Sequence, residues 1–70
     1  MKFSYAKLWK MLIDRGMKKK DLAAQARITA NTMSNMGKGQ AVSLETIGRI
    51  CRLFDCDIGD VVEIVIEEED

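Results

Sequence analysis

LAAQARITANTMSNMGKGQ, residues 22–40, carries two short apolar stripes at helical spacing with only six residues between them. Leu22, Ala23 and Ala26 form the first stripe, and Met33 and Met36 the second. Thr29 stands where a side-chain oxygen caps a helix start, and GKGQ (37–40) supplies the turn that ends the second helix. The stretch therefore reads as helix 2 from Lys19 to about Gln25, then helix 3 through about Met36. Joined by Ala26, Arg27 and Ile28, the pair has the form of a helix-turn-helix. Ala23 is small enough to let the two helices approach closely.

Working outward, the same logic places three more helices. Ser4 precedes the stripe Tyr5, Leu8, Trp9, Met11, Leu12 and Ile13, and Gly16 is a stop signal, so helix 1 spans about 5–15. Ser43 caps a longer helix whose Leu44, Ile47, Ile50, Cys51 and Phe54 share one face. Asp57 caps a short fifth helix from Ile58 to about Glu63. The residue before each N-cap and the one five positions later are both apolar in all five cases, from Phe3 with Leu8 to Cys56 with Val61, as a hydrophobic staple requires. Lys18 is the one poor cap. Ile64, Val65 and Ile66 are β-branched; they either close the bottom of the core or extend as a short C-terminal strand that pairs with a second copy.

Composition narrows the function classes. Seventy residues make one domain, too small to stabilise itself without well-packed helices, a staple or a partner subunit. Hydrophobic residues at 47%, no proline and two cysteines favour helices over a disulfide framework, and point to a reducing, cytoplasmic setting. No apolar run reaches a membrane span and no leader is legible, so neither membrane nor secretion is expected. Histidine is absent, which removes the commonest general base and a common zinc ligand. An enzyme is not expected, nor a cofactor or metal. Cys51 and Cys56 read as reduced core residues, and Tyr5 and Trp9 as core and its rim.

The formal net charge of zero conceals two opposed halves. Residues 1–40 hold nine basic and two acidic side chains, residues 41–70 two basic and nine acidic, a balance of +7 against −7. Binding of a polyanion depends on the local field, so the average is no objection. Alone, Lys18, Lys19 and Lys20 are a solvated helix face and Glu67–Asp70 (67–70) an acidic tail beyond a domain spanning 1–66. The outward positions of helix 3 change that reading. Ala30, Asn31, Thr32, Ser34 and Asn35 are short and uncharged, where a merely solvated face usually carries Glu and Lys. Two amides can bond adenine edges, and an alanine can meet a thymine methyl. No acid occurs between Asp21 and Glu45, and Lys18, Lys19, Lys20 and Lys38 flank helix 3 where a phosphate backbone would pass. The expected partner is double-stranded DNA.

That stretch, following DRGM (14–17) and preceding SLETIGRIC (43–51) and DCDIGD (55–60), resembles the small Cro/C1-type helix-turn-helix transcriptional regulators. The short stand-alone group, whose first helix reads much like YAKLWKMLIDRGM (5–17), is the nearest in pattern, and the likeness covers residue 4 to about 64. It implies an all-α, compact five-helix, lambda-repressor-like domain with helix 3 (about 30–36) in the major groove, commonly working as a homodimer on a palindromic operator. Ala30, Asn31, Ser34 and Asn35 match base-facing positions; Lys19, Thr29 and Lys38 match phosphate-contacting ones. Arg27 departs from the family's turn glycine, so a side chain is expected at positive φ. Ala30 lacks the amide many relatives carry there, which bears on sequence preference. The rival reading is a protein-interaction module, an antitoxin or adaptor, whose acidic half or Ile64–Ile66 (64–66) docks a protein partner.

Overall fold

The computed structural model describes residues 1–67. Strand β1 (Lys2–Ser4) leads into α1 (Ala6–Asp14), α2 (Lys19–Ala26), α3 (Ala30–Gly37) and α4 (Leu44–Phe54), then a 3₁₀ turn (Ile58–Asp60) and strand β2 (Glu63–Val65). Four α-helices and a two-stranded sheet thus replace the expected all-α, five-helix count. Asp57 does cap at the expected place, its carboxylate accepting the Ile58 N–H at 2.8 Å. Helical hydrogen bonding there lasts one turn, because Glu63, Ile64 and Val65 pair as a strand. β2 runs antiparallel to β1, with Lys2 opposite Val65, Phe3 opposite Ile64 and Ser4 opposite Glu63. The extended segment therefore has a strand partner within its own chain. Of the acidic tail expected over 67–70, Glu67 pairs with Lys2 at 3.2 Å, and 68–70 lie outside the described residues.

β1 has a second consequence, for α1. Ser4 belongs to the strand and Tyr5 is the N-cap residue, without a side-chain capping bond, so the helix starts at Ala6. Its far end is as read: Gly16 adopts φ 67, and the Met17 N–H reaches back to the Leu12 carbonyl at 2.9 Å. Ser43 and Thr29 cap as expected, accepting the N–H groups of Thr46 and Thr32 at 3.1 Å each. At α2 the weak Lys18 cap is offset from the other side, since the Asp21 carboxylate accepts the Lys18 N–H at 2.9 Å.

The core gathers one face of every helix. Tyr5, Leu8 and Leu12 from the α1 side meet Leu22 and Ala26 of α2, Ile28 of the turn, Met36 of α3, and Ile47, Ile50 and Phe54 of α4, with Val61 closing below. Two residues of the anticipated stripes fall outside it: Ile13 is 76% exposed and Leu44 is 75% exposed. Ile13 sits on the far flank of a stripe wider than the core it meets, and Leu44 is the first residue of α4, ahead of the packed face. Cys51 and Cys56 are free thiols, half-buried beside the core. Burial, and then the neighbouring Cys51, pushes the Cys56 thiol up from its ordinary value.

Candidate nucleic-acid interface

Three contacts fix the helix-turn-helix, and each comes from outside residues 22–40. At the turn, Arg27 ends α2 in the left-handed region, at φ 58 and ψ 51, as its place in the sequence anticipated. A side chain there costs about 1 kcal/mol relative to glycine. Arg49 of α4 offsets that cost: its Nε–H donates to the Ala26 carbonyl at 2.9 Å and its Nη2 to the Arg27 carbonyl at 3.3 Å. A guanidinium at the carbonyl end of α2 also complements the helix dipole. At the other end of α3, Gly39 takes φ 74, where a Cβ would lie 3.2 Å from the Phe3 carbonyl oxygen. The Phe3 N–H bonds the Gly39 carbonyl at 3.1 Å, and the buried Tyr5 hydroxyl donates to the Gln40 carbonyl at 2.7 Å. So α3 is held at its start by α4 and at its end by β1.

The residues picked out on α3 are presented outward in unequal degree. Ala30, Asn31 and Ser34 are exposed, and Asn35 is half-buried. Thr29 is occupied in capping; its hydroxyl accepts from the Thr32 N–H and donates to the Thr32 Oγ1 at 3.0 Å. No acidic side chain stands in the first turn of α3. Between α2 and α3 runs an open groove of about 520 Å³ that Lys19, Lys20, Ala23, Ala30, Met33, Ser34 and Gly37 line. The structure thus brings Lys19 and Lys20 to the same groove as Ala30 and Ser34. Asn31, Asn35, Lys18 and Lys38 lie off it.

All four lysines are exposed. Among the described residues the ion pairs are Lys2 with Glu67, Lys7 with Glu63, and Arg49 with Glu45, so Lys18, Lys19, Lys20 and Lys38 take part in none. Lys38 caps the carbonyl end of α3, where a cation is favourable on dipole grounds alone. Lys18, Lys19 and Lys20 sit at the opposite kind of place, the positive pole of α2, where each adds repulsion relieved only by Asp21. That arrangement works against the folded chain. Lys19 also meets an aromatic face, its ammonium lying 4.3 Å from the centroid of the Trp9 ring. Sequence reasoning assigned Trp9 only to the rim of the core; a lysine ten residues on, across a helix end, left no local signal of this contact.

The family model of the Cro/C1-type HTH DNA-binding domain matches residues 7–67. The chain belongs to this family. The uncharacterized HTH-type transcriptional regulator YozG of Bacillus subtilis (strain 168) is 33% identical over 61 residues, covering 84% of this chain and 73% of that protein. The crystal structure of transcriptional regulator VanUg, form II, superposes with a TM-score of 0.89 at 42% identity, over 94% of this chain and 88% of that one. The Cro/C1-type domain described here is accordingly a DNA-binding domain of the kind found in transcriptional regulators. Its helix-turn-helix is α2 and α3, with Arg27 in the left-handed turn position between them. Among the described residues no group of three or more His, Cys, Asp or Glu side chains is placed to hold a metal ion, and no helix is long and apolar enough to cross a membrane.

Proposed function

We propose that the protein binds double-stranded DNA sequence-specifically, with α3 in the major groove, and regulates transcription by occupying a promoter. The observation that carries this reading is the conjunction at one groove of an uncharged, short-side-chain helix face with lysines that take part in no ion pair among the described residues. Phosphates would be met by Lys18, Lys19 and Lys20 at the start of α2, by Lys38 after α3, and by the Thr29–Thr32 hydroxyl pair at its start. Base edges would be read by Asn31, Ser34 and Asn35, with Ala30 offering only an apolar contact. Affinity and specificity then reside in different side chains.

Lys19→Ala and Asn31→Ala separate the two roles. Fluorescence anisotropy with duplexes of varied sequence, across a salt titration, is the assay. Each phosphate contact contributes a slope of about −0.9 in log K against log salt. Lys19→Ala is expected to weaken all duplexes alike and flatten the slope by about one unit. Asn31→Ala is expected to relax the preference at one base pair, by about 1–3 kcal/mol, with the slope unchanged. A Lys19→Ala protein with altered sequence preference and an intact salt slope would refute the assignment. Absence of any salt-sensitive binding to duplex DNA by the unaltered chain would transfer the fold to the adaptor or antitoxin reading.

A further inference from the structure

Lys19 is the first residue of α2, and its ammonium lies over the Trp9 ring of α1. Among the described residues, Lys18, Lys20 and Lys38 have no such contact. The ring beneath is itself held. Trp9 is half-buried against the core, its ring is tilted by 51° to that of the buried Tyr5 with centroids 6.2 Å apart, and the Tyr5 hydroxyl is fixed on the Gln40 carbonyl. Lys2 and Lys7 are held in another way, by the carboxylates of Glu67 and Glu63. The difference is electrical. A carboxylate that anchors an ammonium also cancels its charge, whereas an aromatic face attracts a cation through its quadrupole and has no net charge of its own. Lys19 therefore has an anchor and keeps its charge, in a groove whose other wall is Ala30 and Ser34 of α3.

We infer that Trp9 is a positioning residue for DNA binding: its ring holds the Lys19 ammonium at the start of α2 before a duplex phosphate arrives. The inference rests on the DNA-binding reading above and adds to it a residue that touches no nucleic acid. A lysine side chain loses rotamer freedom when it is fixed on a phosphate, and that loss weakens binding. Where a ring has already restricted the side chain, part of the loss is met on folding instead. The ring meets one side of the ammonium, and an ammonium has three N–H donors, so others stay open to a phosphate oxygen. Trp9 thus acts on affinity through Lys19 alone. It adds no charge, so it leaves the number of neutralised phosphates as it is.

A double-mutant cycle on the full chain tests it, by fluorescence anisotropy with a mixed-sequence DNA duplex across a salt titration, with circular dichroism confirming the fold of each variant. Trp9→Leu is expected to weaken binding about two- to fivefold, the factor expected of a cation over an exposed aromatic face. The salt slope should stay as it was, because Lys19 still reaches the phosphate. Placed on Lys19→Ala, the same substitution is expected to have no further effect. Trp9→Phe, which keeps an aromatic face, is expected to retain most of the affinity. In proton NMR of the free chain, the ring current should move the Lys19 side-chain methylenes upfield, and Trp9→Leu should return them. Equal weakening by Trp9→Leu in the two backgrounds would make Trp9 a structural residue only and overturns the inference. So does no weakening at all, or Lys19 methylenes at their ordinary position in the unaltered chain. Should Trp9→Leu not fold, Trp9→Met, whose flexible side chain fills irregular gaps, runs the same cycle. A chain that binds DNA and fails the cycle sinks only the role of Trp9; a chain without salt-sensitive binding sinks the DNA reading together with it.

Discussion

Replacing Arg49 by alanine removes the side chain that hydrogen-bonds α4 to the helix-turn-helix turn. The guanidinium is largely shielded, its side chain 28% exposed, and it spans four groups: the carbonyls of Ala26 and Arg27, the Thr46 hydroxyl at 3.4 Å and the Glu45 carboxylate at 3.5 Å. The Nε–H to Ala26 bond, at 2.9 Å, is the well-formed one, and a hydrogen bond from a charged donor contributes about 1.5–3 kcal/mol. The two longer bonds add little. Glu45 is 84% exposed, so its pairing contributes about 0–1 kcal/mol. Arg49→Ala should therefore cost about 2 kcal/mol, out of roughly 4–10 kcal/mol for a domain of this length. At about 4–8 °C per kcal/mol for a small domain, the Tm is expected to fall by about 8–16 °C. Urea titration and thermal melting followed by circular dichroism measure both quantities. Arg49→Lys, which keeps the charge and loses the fork, is expected to recover less than half of the loss. Glu45→Ala should change stability by less than about 0.5 kcal/mol. A loss below about 0.5 kcal/mol for Arg49→Ala itself would show that the turn at Arg27 holds without α4, and the account of how α3 is positioned would be wrong.

Two further substitutions probe the other end of α3. Gly39→Ala must place a Cβ 3.2 Å from the Phe3 carbonyl at φ 74, and is expected to lower stability by about 1–2 kcal/mol, read as a fall in the urea midpoint. No change in midpoint would mean that β1 does not constrain this loop. Tyr5→Phe leaves the Gln40 carbonyl without its donor and is expected to cost about 1 kcal/mol at neutral pH. Burial also raises the Tyr5 pKa above its ordinary 10.0, so the folded chain holds the phenol protonated more tightly than the unfolded one does. That contribution is complete below pH 10 and is lost as the pH rises through the folded value. The stability gap between the unaltered chain and Tyr5→Phe should accordingly narrow in urea titrations above pH 10, and a constant gap would contradict the burial argument.

What could be read from the sequence was whatever is encoded within a few residues. Thr29 and Ser43 cap because a hydroxyl one residue before an apolar stripe has few other uses, and Gly16 stops α1 because φ 67 is open to it. Arg27 at positive φ was anticipated only through the resemblance, because the family carries glycine at that place in the turn. Contacts between distant segments were not legible in the same way. β1 is three residues long, and its Phe3 fits a staple to helix 1 as well as it fits a strand; only Ile64 across the ladder distinguishes them. The same absence turned one expected helix into a single 3₁₀ turn, since Asp57 announces a start while the end is imposed by pairing with Lys2–Ser4. At the candidate site, lysine count and the lack of acids were visible, whereas Arg49 on Ala26 and Lys19 on Trp9 depend on α4 and α1 being brought alongside.

The pairing of β1 with β2 joins the two ends of the described chain, and this sets an order of events. Helical contacts between neighbours form over short loops, but Lys2 must find Val65 across nearly the entire sequence, the costliest closure in the fold. In folding, the sheet is therefore expected to form after the helices have assembled. During synthesis, residues 2–4 wait for 63–65 to leave the ribosome before they acquire a partner. Amide protons of the sheet should exchange sooner than those of Leu22 or Ile50, through an opening that leaves the four helices intact. Because the Phe3 N–H bonds the Gly39 carbonyl and not β2, an opening confined to the β1–β2 ladder can leave the tether at the end of α3 in place, and only release of β1 itself is expected to loosen it.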